Sequence, residues 1–295
     1  MRYIGRFAPS PSGPLHFGSL IAALGSYFQA KSQGGLWRVR IEDLDPPREM
    51  AGAADQILRT LERYQLHWDG EVVYQSHRHD LYQAQIDHWL SQGQAYYCQC
   101  TRKEVQQSGG FYQGRCRKKQ WSTGAIRLQP RSPIYQFHDR KHGVLTIPDA
   151  LAREDFIIKR KDGLFAYNLA VVIDDIEQGI TEVVRGADLI EPTGRQISLY
   201  HQLKKTPVSY LHLPLATTAQ GLKLSKQNHA PALDEKHPRR TLLAAMNFLG
   251  FKLEANLKEA KLAEILHWGV ENWTLNQLPN QLSIPQHSQM PSVEL

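Results

Sequence analysis

The chain has 295 residues, 41% of them hydrophobic and 22% charged, with 35 Lys and Arg against 29 Asp and Glu for a net charge of +6. These totals exclude a disordered chain and a small disulfide-stapled module, and no apolar run is long enough to span a membrane. The basic excess suits a polyanionic partner, and a start without an apolar leader makes the cytosol the expected compartment.

Residues 2–8 read as a strand, and an apolar helix pattern runs from Phe17 to Gln33 with Leu20, Ile21, Leu24, Tyr27 and Phe28 at helical spacing. Between them lies Arg6-Phe-Ala-Pro-Ser-Pro-Ser-Gly-Pro-Leu-His16-Phe-Gly18-Ser19. A Pro, Ser and Gly-rich loop ending at a helix N-terminus suits a phosphate, because free N–H groups and the positive dipole end face the ligand. Gly18 permits close backbone approach, and His16 can donate to a phosphate oxygen. Leu36-Trp-Arg-Val-Arg-Ile41 reads as the next strand, followed by Glu42-Asp43-Leu-Asp45 and stopped by Pro46-Pro47. Helix patterns follow over about 50–64 and 78–91, and this strand–helix alternation predicts an α/β fold with a parallel sheet.

Residues 95–155 differ in character and read as an inserted subdomain, rich in basic side chains and glycine. Cys98-Gln-Cys100 and Cys116 give three thiols at close spacing, an odd number that fits a structural zinc site in a reducing compartment better than disulfides. From the residues alone, His138 and His142 are available as a fourth ligand, and free thiols in a small core are the alternative. Residues 156–161 and 164–173 read as two strands joined at Asp162-Gly163, a hairpin turn signal. A strand over 180–186, a helix over about 193–204 and helical patterning over 241–273 follow, before a Pro, Gln and Ser-rich tail at 279–295 that is expected to be loose. The expected units are thus 1–94 and 156–232 as two halves of one catalytic domain, 95–155 as the insertion, 233–278 as a helical region, and the tail.

In a parallel sheet, ligands gather outside the C-terminal strand ends. Arg6 and Ser10 follow the first strand and Glu42 follows the second, a set that can hold a zwitterion between a guanidinium and a carboxylate. As residue types alone they are more often the make-up of solvated loops. Two later segments add weight: Gly221-Leu-Lys-Leu-Ser225-Lys226-Gln-Asn228, whose lysines can offset charge on a leaving pyrophosphate, and Tyr167 with Arg185 at expected strand ends.

Taken in order, these segments resemble the glutamate-specific class I aminoacyl-tRNA synthetases. The first resembles their His-Ile-Gly-His signature, and Leu224-Ser225-Lys226-Gln-Asn is similar to their Lys-Met-Ser-Lys-Ser signature. Arg40-Ile-Glu42-Asp43-x-Asp45-x-x-Arg48, Tyr167-Asn-Leu-Ala-Val-Val-Ile-Asp-Asp and Val-Val-Arg185-Gly also match, so the resemblance covers about residues 3–230. Ser19 stands where the first signature ends in His, and Leu224 stands for Met in the second. The resemblance implies a Rossmann-like catalytic sheet that activates glutamate with ATP, Mg²⁺ riding on the nucleotide. It assigns Arg6, Ala8, Ser10, Glu42, Tyr167 and Arg185 to glutamate, and His16, Gly18, Ser225 and Lys226 to ATP. His16, Gly18 and Lys226 would act at the reacting phosphate. It also points to Tyr112 as the fourth zinc ligand, since a shortened branch of the family carries a Cys-x-Cys, Tyr, Cys pattern that Cys98, Cys100, Tyr112 and Cys116 match.

Too few residues follow Asn228 for the large anticodon-reading region of full-length members. The shortened branch lacks it too, and its members place glutamate on the cyclopentenediol of queuosine in the anticodon loop of tRNA(Asp). The resemblance therefore implies queuosine-bearing tRNA(Asp), glutamate and ATP as partners, and a monomer. Arg102, Lys103, Arg115, Arg117, Lys118, Lys119, Arg239 and Arg240 are candidate phosphate contacts. Two other readings stay open: a catalytic fragment of a conventional glutamyl-tRNA synthetase, and a non-catalytic paralogue that binds tRNA or glutamate.

Overall fold

The computed structural model describes residues 2–218, 221–222 and 231–286. The chain runs β1 (Ile4–Phe7), α1 (Phe17–Ser32), β2 (Leu36–Ile41), α2 (Ala53–Arg63), β3 (Val73–Tyr74), α3 (His79–Ser91), β4 (Ala95–Cys98), α4 (Arg102–Gln107) and β5 (Ala125–Leu128). It continues through β6 (Gln136–Asp139), β7 (Gly143–Thr146), α5 (Asp149–Arg153), β8 (Phe156–Lys159), α6 (Tyr167–Glu177), β9 (Glu182–Gly186), α7 (Ile190–Gln202), β10 (Ser209–Leu213) and β11 (Leu215–Thr217). Helices α8 (Pro238–Phe248) and α9 (Leu262–Glu271) precede β12 (Ser283–Pro285).

The central layer is mainly parallel. Strand β2 pairs with β1 and β3, and β10 pairs with β9 and β6, all in parallel, while β7 folds back on β6 as an antiparallel hairpin. The two groups meet where the Thr181 N–H donates to the Ile4 carbonyl at 2.9 Å, setting β9 beside β1. Crossover helices bury the sheet, so its strands read as apolar runs rather than alternating patterns. Helix α1 lies closest: a Cβ on Gly25 would stand 2.4 Å from Leu213 of β10, a contact only glycine allows. The largest core cluster joins α1, β1 and β2 to α8 and α9 through Leu24, Phe28, Trp37, Met246 and Ile265. A second layer, the antiparallel sheet β4-β5-β8, packs with α3, α6 and α7 around Trp89, Leu128 and Ile158.

Two expectations need correction. Residues 164–173 are not a second strand arm: the turn at Asp162-Gly163 forms, with Gly163 at φ +89°, but only Phe165 bridges back to Lys159 before α6 begins at Tyr167. Leu169 through Ile173 are buried around the helix, and a run apolar on every side carries no period to tell helix from strand. The tail is not wholly loose either, because Ser283–Pro285 pair in parallel with β11 and anchor it beside buried Leu278. Residues 287–295 lie outside the described residues.

Candidate active site

Parallel strands bring their C-terminal ends to one edge, and the site is built there. Arg6 and Phe7 close β1, Ile41 closes β2 immediately before Glu42, and Arg185 and Gly186 close β9. The Glu42 N–H donates to the Pro9 carbonyl at 2.9 Å, fixing the loop after β2 against the loop after β1. Ser10, Ser12, Glu42, Gln75, Arg160, Phe165 and Tyr167 line a cavity of about 580 Å³ at this edge, the size of a small-ligand site. Ala8, in the loop after β1, is half-buried.

Beneath the cavity is a buried charge network. Asp175 accepts from Arg6 Nε at 3.1 Å, Arg6 Nη2 at 3.3 Å and Arg40 Nη1 at 2.8 Å. Arg40 also reaches Gln178 at 2.6 Å and Glu42 Oε1 at 3.5 Å. Neighbouring Asp174 takes hydrogen bonds from Gln75 at 2.7 Å, Arg78 at 2.6 Å and Tyr82 at 2.8 Å. Burial alone would raise the Asp175 carboxyl, but Arg6 and Arg40 outweigh it and hold it below the usual range. Glu42 goes the other way: burial raises its carboxyl, and Arg40 and Arg6 recover only part of the cost. An incoming ammonium would supply the missing partner.

Arg185 is held differently. Its Nε donates to His212 Nε2 at 3.2 Å, Nη1 to the Tyr167 hydroxyl at 3.3 Å, and Nη2 to Thr193 Oγ1 at 2.7 Å and the Leu189 carbonyl at 3.2 Å. Among the described residues no carboxylate lies within ion-pair distance of it, whereas Arg6 and Arg40 are both claimed by Asp175. The edge thus offers a cation beside Tyr167 and an under-compensated carboxylate at Glu42, the two poles a zwitterion needs.

His16 is the N-cap of α1. Its Nδ1 accepts the Ser19 N–H at 3.2 Å while Ser19 Oγ takes the His16 N–H, a reciprocal capping box. Accepting there leaves the hydrogen of the neutral ring on Nε2. Gly18 follows in the first turn. Ser225 and Lys226 lie outside the described residues, but Ala232, just beyond that stretch, bridges to His16, and the Leu233 N–H donates to the Leu15 carbonyl at 2.9 Å.

The three cysteine sulfurs lie within 4.8 Å of one another, Cys100 and Cys116 at 3.6 Å. A tetrahedral site with metal–sulfur bonds of ~2.3 Å sets sulfurs about 3.8 Å apart, so the donors fit a thiophilic metal. Tyr112 is buried among them and its hydroxyl accepts the Cys116 N–H at 2.7 Å. Burial works against the Cys116 thiolate, yet hydrogen bonds from Tyr112, the Gln99 backbone and the other thiols bring it to about 7. His138 and His142 sit elsewhere: both are on the β6–β7 hairpin, where His142 Nε2 donates to the His212 carbonyl at 3.1 Å. The cluster is tied down through Asp155, which accepts from Arg117 at 2.6 Å twice and from Tyr96. The eight candidate phosphate contacts are all exposed, though Arg117 is committed to Asp155.

Sequence reasoning gave no site role to Asp175, Arg40, His212, Asp139 or Thr193. A charged residue inside an apolar run was the available signal, in Trp-Arg-Val-Arg40-Ile and Tyr-Leu-His212-Leu alike.

A mainly parallel sheet with an anion-suited helix start and a cavity lined by Glu42 and Tyr167 at its C-terminal edge is an arrangement suited to a nucleotide-dependent, amino-acid-activating fold. The chain belongs to the class I tRNA synthetases: residues 4–272 match the family described as tRNA synthetases class I (E and Q), catalytic domain. Among curated relatives, a Glutamyl-Q tRNA(Asp) synthetase of Vibrio vulnificus (strain YJ016) is 70% identical over 284 residues, 96% of this chain and 94% of the relative. Those of Vibrio cholerae serotype O1 and Serratia proteamaculans (strain 568) are 67% and 59% identical, over 99% and 96% of this chain and 97% and 94% of the relatives. A glutamate tRNA ligase of Elizabethkingia meningosepticum, solved in complex with its amino acid, shares the fold at a TM-score of 0.79 with 24% identity, covering 98% of this chain and 68% of that one. Among the described residues no helix is long and apolar enough to cross a membrane.

Proposed function

We propose that the protein activates glutamate with ATP, without tRNA, and then transfers the glutamyl group to the cyclopentenediol of queuosine in the anticodon loop of tRNA(Asp). The names of the similar curated relatives support the acceptor. The observation that carries the activation step is that Glu42 and Tyr167 line one cavity while Arg185, which has no carboxylate partner among the described residues, donates to the Tyr167 hydroxyl behind it. Glu42 takes the α-ammonium, Arg185 and Tyr167 take the side-chain carboxylate, and Ser10 and the backbone at Ala8 line the entry. Arg6 is held by Asp175 through Nε and Nη2, so its remaining N–H groups and its potential serve the α-carboxylate.

A carboxylate oxygen of glutamate attacks the α-phosphorus of ATP, and the bond to pyrophosphate breaks. His16 Nε2–H, the helix start at Gly18, Ser225 and Lys226 offset the charge that builds on the phosphates, with Mg²⁺ carried by the nucleotide. A diol hydroxyl then attacks the glutamyl carbonyl, loses its proton and releases AMP. An amide in place of the side-chain carboxylate leaves Arg185 buried without its anion, which selects against glutamine. One zinc held by Cys98, Cys100, Tyr112 and Cys116 fixes the segment that carries Arg102, Lys103, Arg115, Lys118 and Lys119 for contact with RNA phosphates. Arg239 and Arg240 extend that surface, and the protein works as a cytoplasmic monomer. Glutamate-dependent ATP–pyrophosphate exchange in the absence of tRNA tests the first step: exchange is expected with glutamate, and its absence points to a binder or to an enzyme that requires tRNA.

A further inference from the structure

Arg185 is aimed by a relay that crosses three adjacent strands. His212 on β10 stands directly opposite it in the parallel register, and Asp139 ends β6 on the other side of β10, opposite Tyr210. Asp139 is anchored by four hydrogen bonds. Its Oδ1 accepts the backbone N–H groups of Lys141 and His142, both at 2.9 Å, and its Oδ2 accepts the His212 N–H at 3.0 Å and His212 Nδ1 at 2.8 Å. A carboxylate can only accept, so it places the ring hydrogen on Nδ1 and leaves the Nε2 lone pair for Arg185. A ring with hydrogen on Nε2 would set two donors against each other.

The other partners of Arg185 are the neutral oxygens of Thr193, Leu189 and Tyr167, with the Tyr210 ring 5.1 Å from its carbon. The contrast with Arg6 and Arg40, each ion-paired with Asp175, is the informative point. Among the described residues no carboxylate forms an ion pair with Arg185, and Asp139 is kept one imidazole away, so the fold orients the guanidinium with dipoles and leaves its charge for a ligand.

We propose that Asp139 and His212 are positioning residues that set the acid-over-amide preference of the site by aiming Arg185 without neutralising it; this rests on the reading of Arg185 as the partner of the glutamate side chain. The relay acts on substrate selection and not on the phosphates, so it predicts a split among kinetic constants. In glutamate-dependent ATP–pyrophosphate exchange, His212→Leu should raise the glutamate KM on the order of 10-fold and narrow the glutamate-to-glutamine preference, the loss expected when one charge-assisted contact is misaligned. The ATP KM should stay within about 2-fold, since that loss belongs to the amino acid alone. His212→Gln keeps an acceptor and should recover most of the preference, while Asp139→Asn should behave like His212→Leu.

Arg185→Ala separates two failures. If Arg185→Ala leaves the glutamate KM unchanged, the glutamate-site reading is wrong; if it raises that KM and neither His212→Leu nor Asp139→Asn does, the positioning role is overturned. Nitrogen-15 NMR of histidine-labelled wild-type protein tests the relay whether or not those variants fold. A neutral His212 ring with hydrogen on Nδ1 is expected, and an imidazolium or an Nε2–H ring would overturn the proposal.

Discussion

Replacing Asp175 with Asn probes the network on which the pocket rests. The carboxylate is shared by Arg6 Nε at 3.1 Å and Arg40 Nη1 at 2.8 Å, with side chains 4%, 4% and 0% exposed for Arg6, Asp175 and Arg40. Removing its charge leaves two buried guanidiniums with Asp174, 3.8 Å from Arg40 Nε, and Glu42 as remaining counter-charges. Breaking a buried pair costs about 3–5 kcal/mol; Asn keeps one acceptor oxygen, which favours the lower end, ~3 kcal/mol. For a chain of this size each kcal/mol moves Tm by about 2–4 °C, so thermal melts followed by far-UV circular dichroism should fall by roughly 6–12 °C. The pH dependence gives a second check. Burial raises the Asp175 carboxyl and the two arginines more than reverse this, so its folded pKa is depressed. A depressed carboxyl contributes stability that is fully present above its unfolded pKa and is lost as pH falls through the folded value. The gap between wild type and Asp175→Asn should therefore be full at neutral pH and close in acid. A fall in Tm below about 2 °C, or a gap that ignores acid, would refute the argument that Asp175 holds Arg6 and Arg40.

The raised Glu42 carboxyl carries the opposite sign: its favourable term is present at low pH and lost as pH rises through the folded pKa, so the charged form costs stability at neutrality. Glu42→Gln should stabilise the fold by about 0.5–2 kcal/mol while raising the glutamate KM at least 10-fold, and a destabilised variant with unchanged KM would contradict both roles. Elemental analysis of purified protein should give about one zinc per chain, and Cys116→Ser should lose the metal and loosen the segment around Tyr112; a fully folded protein free of zinc would count against the site. Lys226→Ala should lower kcat for pyrophosphate exchange far more than it raises the glutamate KM, because its contact belongs to the transition state; the reverse pattern would move Lys226 to ground-state binding.

The strands and helices of the first hundred residues were legible because their signals are local. The run Leu36–Ile41 has turn residues at both ends, and α1 begins at a self-contained capping box. Helix α6 was misread because its buried face encircles it, and the anchoring of Ser283–Pro285 depends on β11, some seventy residues away. At the site, Arg6, Glu42, Tyr167 and Arg185 could be picked out by type and order, but what distinguishes them could not. Arg6 is paired with Asp175, 169 residues away in sequence, whereas Asp139 reaches Arg185 only through His212, 73 residues from it. Such pairings are written in the topology of the sheet, where β10 separates β6 from β9, and not in any short window of sequence.

The central claim is the destination of the activated glutamate. Incubation with labelled glutamate, ATP and tRNA from cells with and without queuosine tests it most directly. The account predicts label on tRNA(Asp) that contains queuosine and none on the queuosine-free pool. Equal labelling of both pools, or label at the 3′ end of tRNA(Glu), would contradict it.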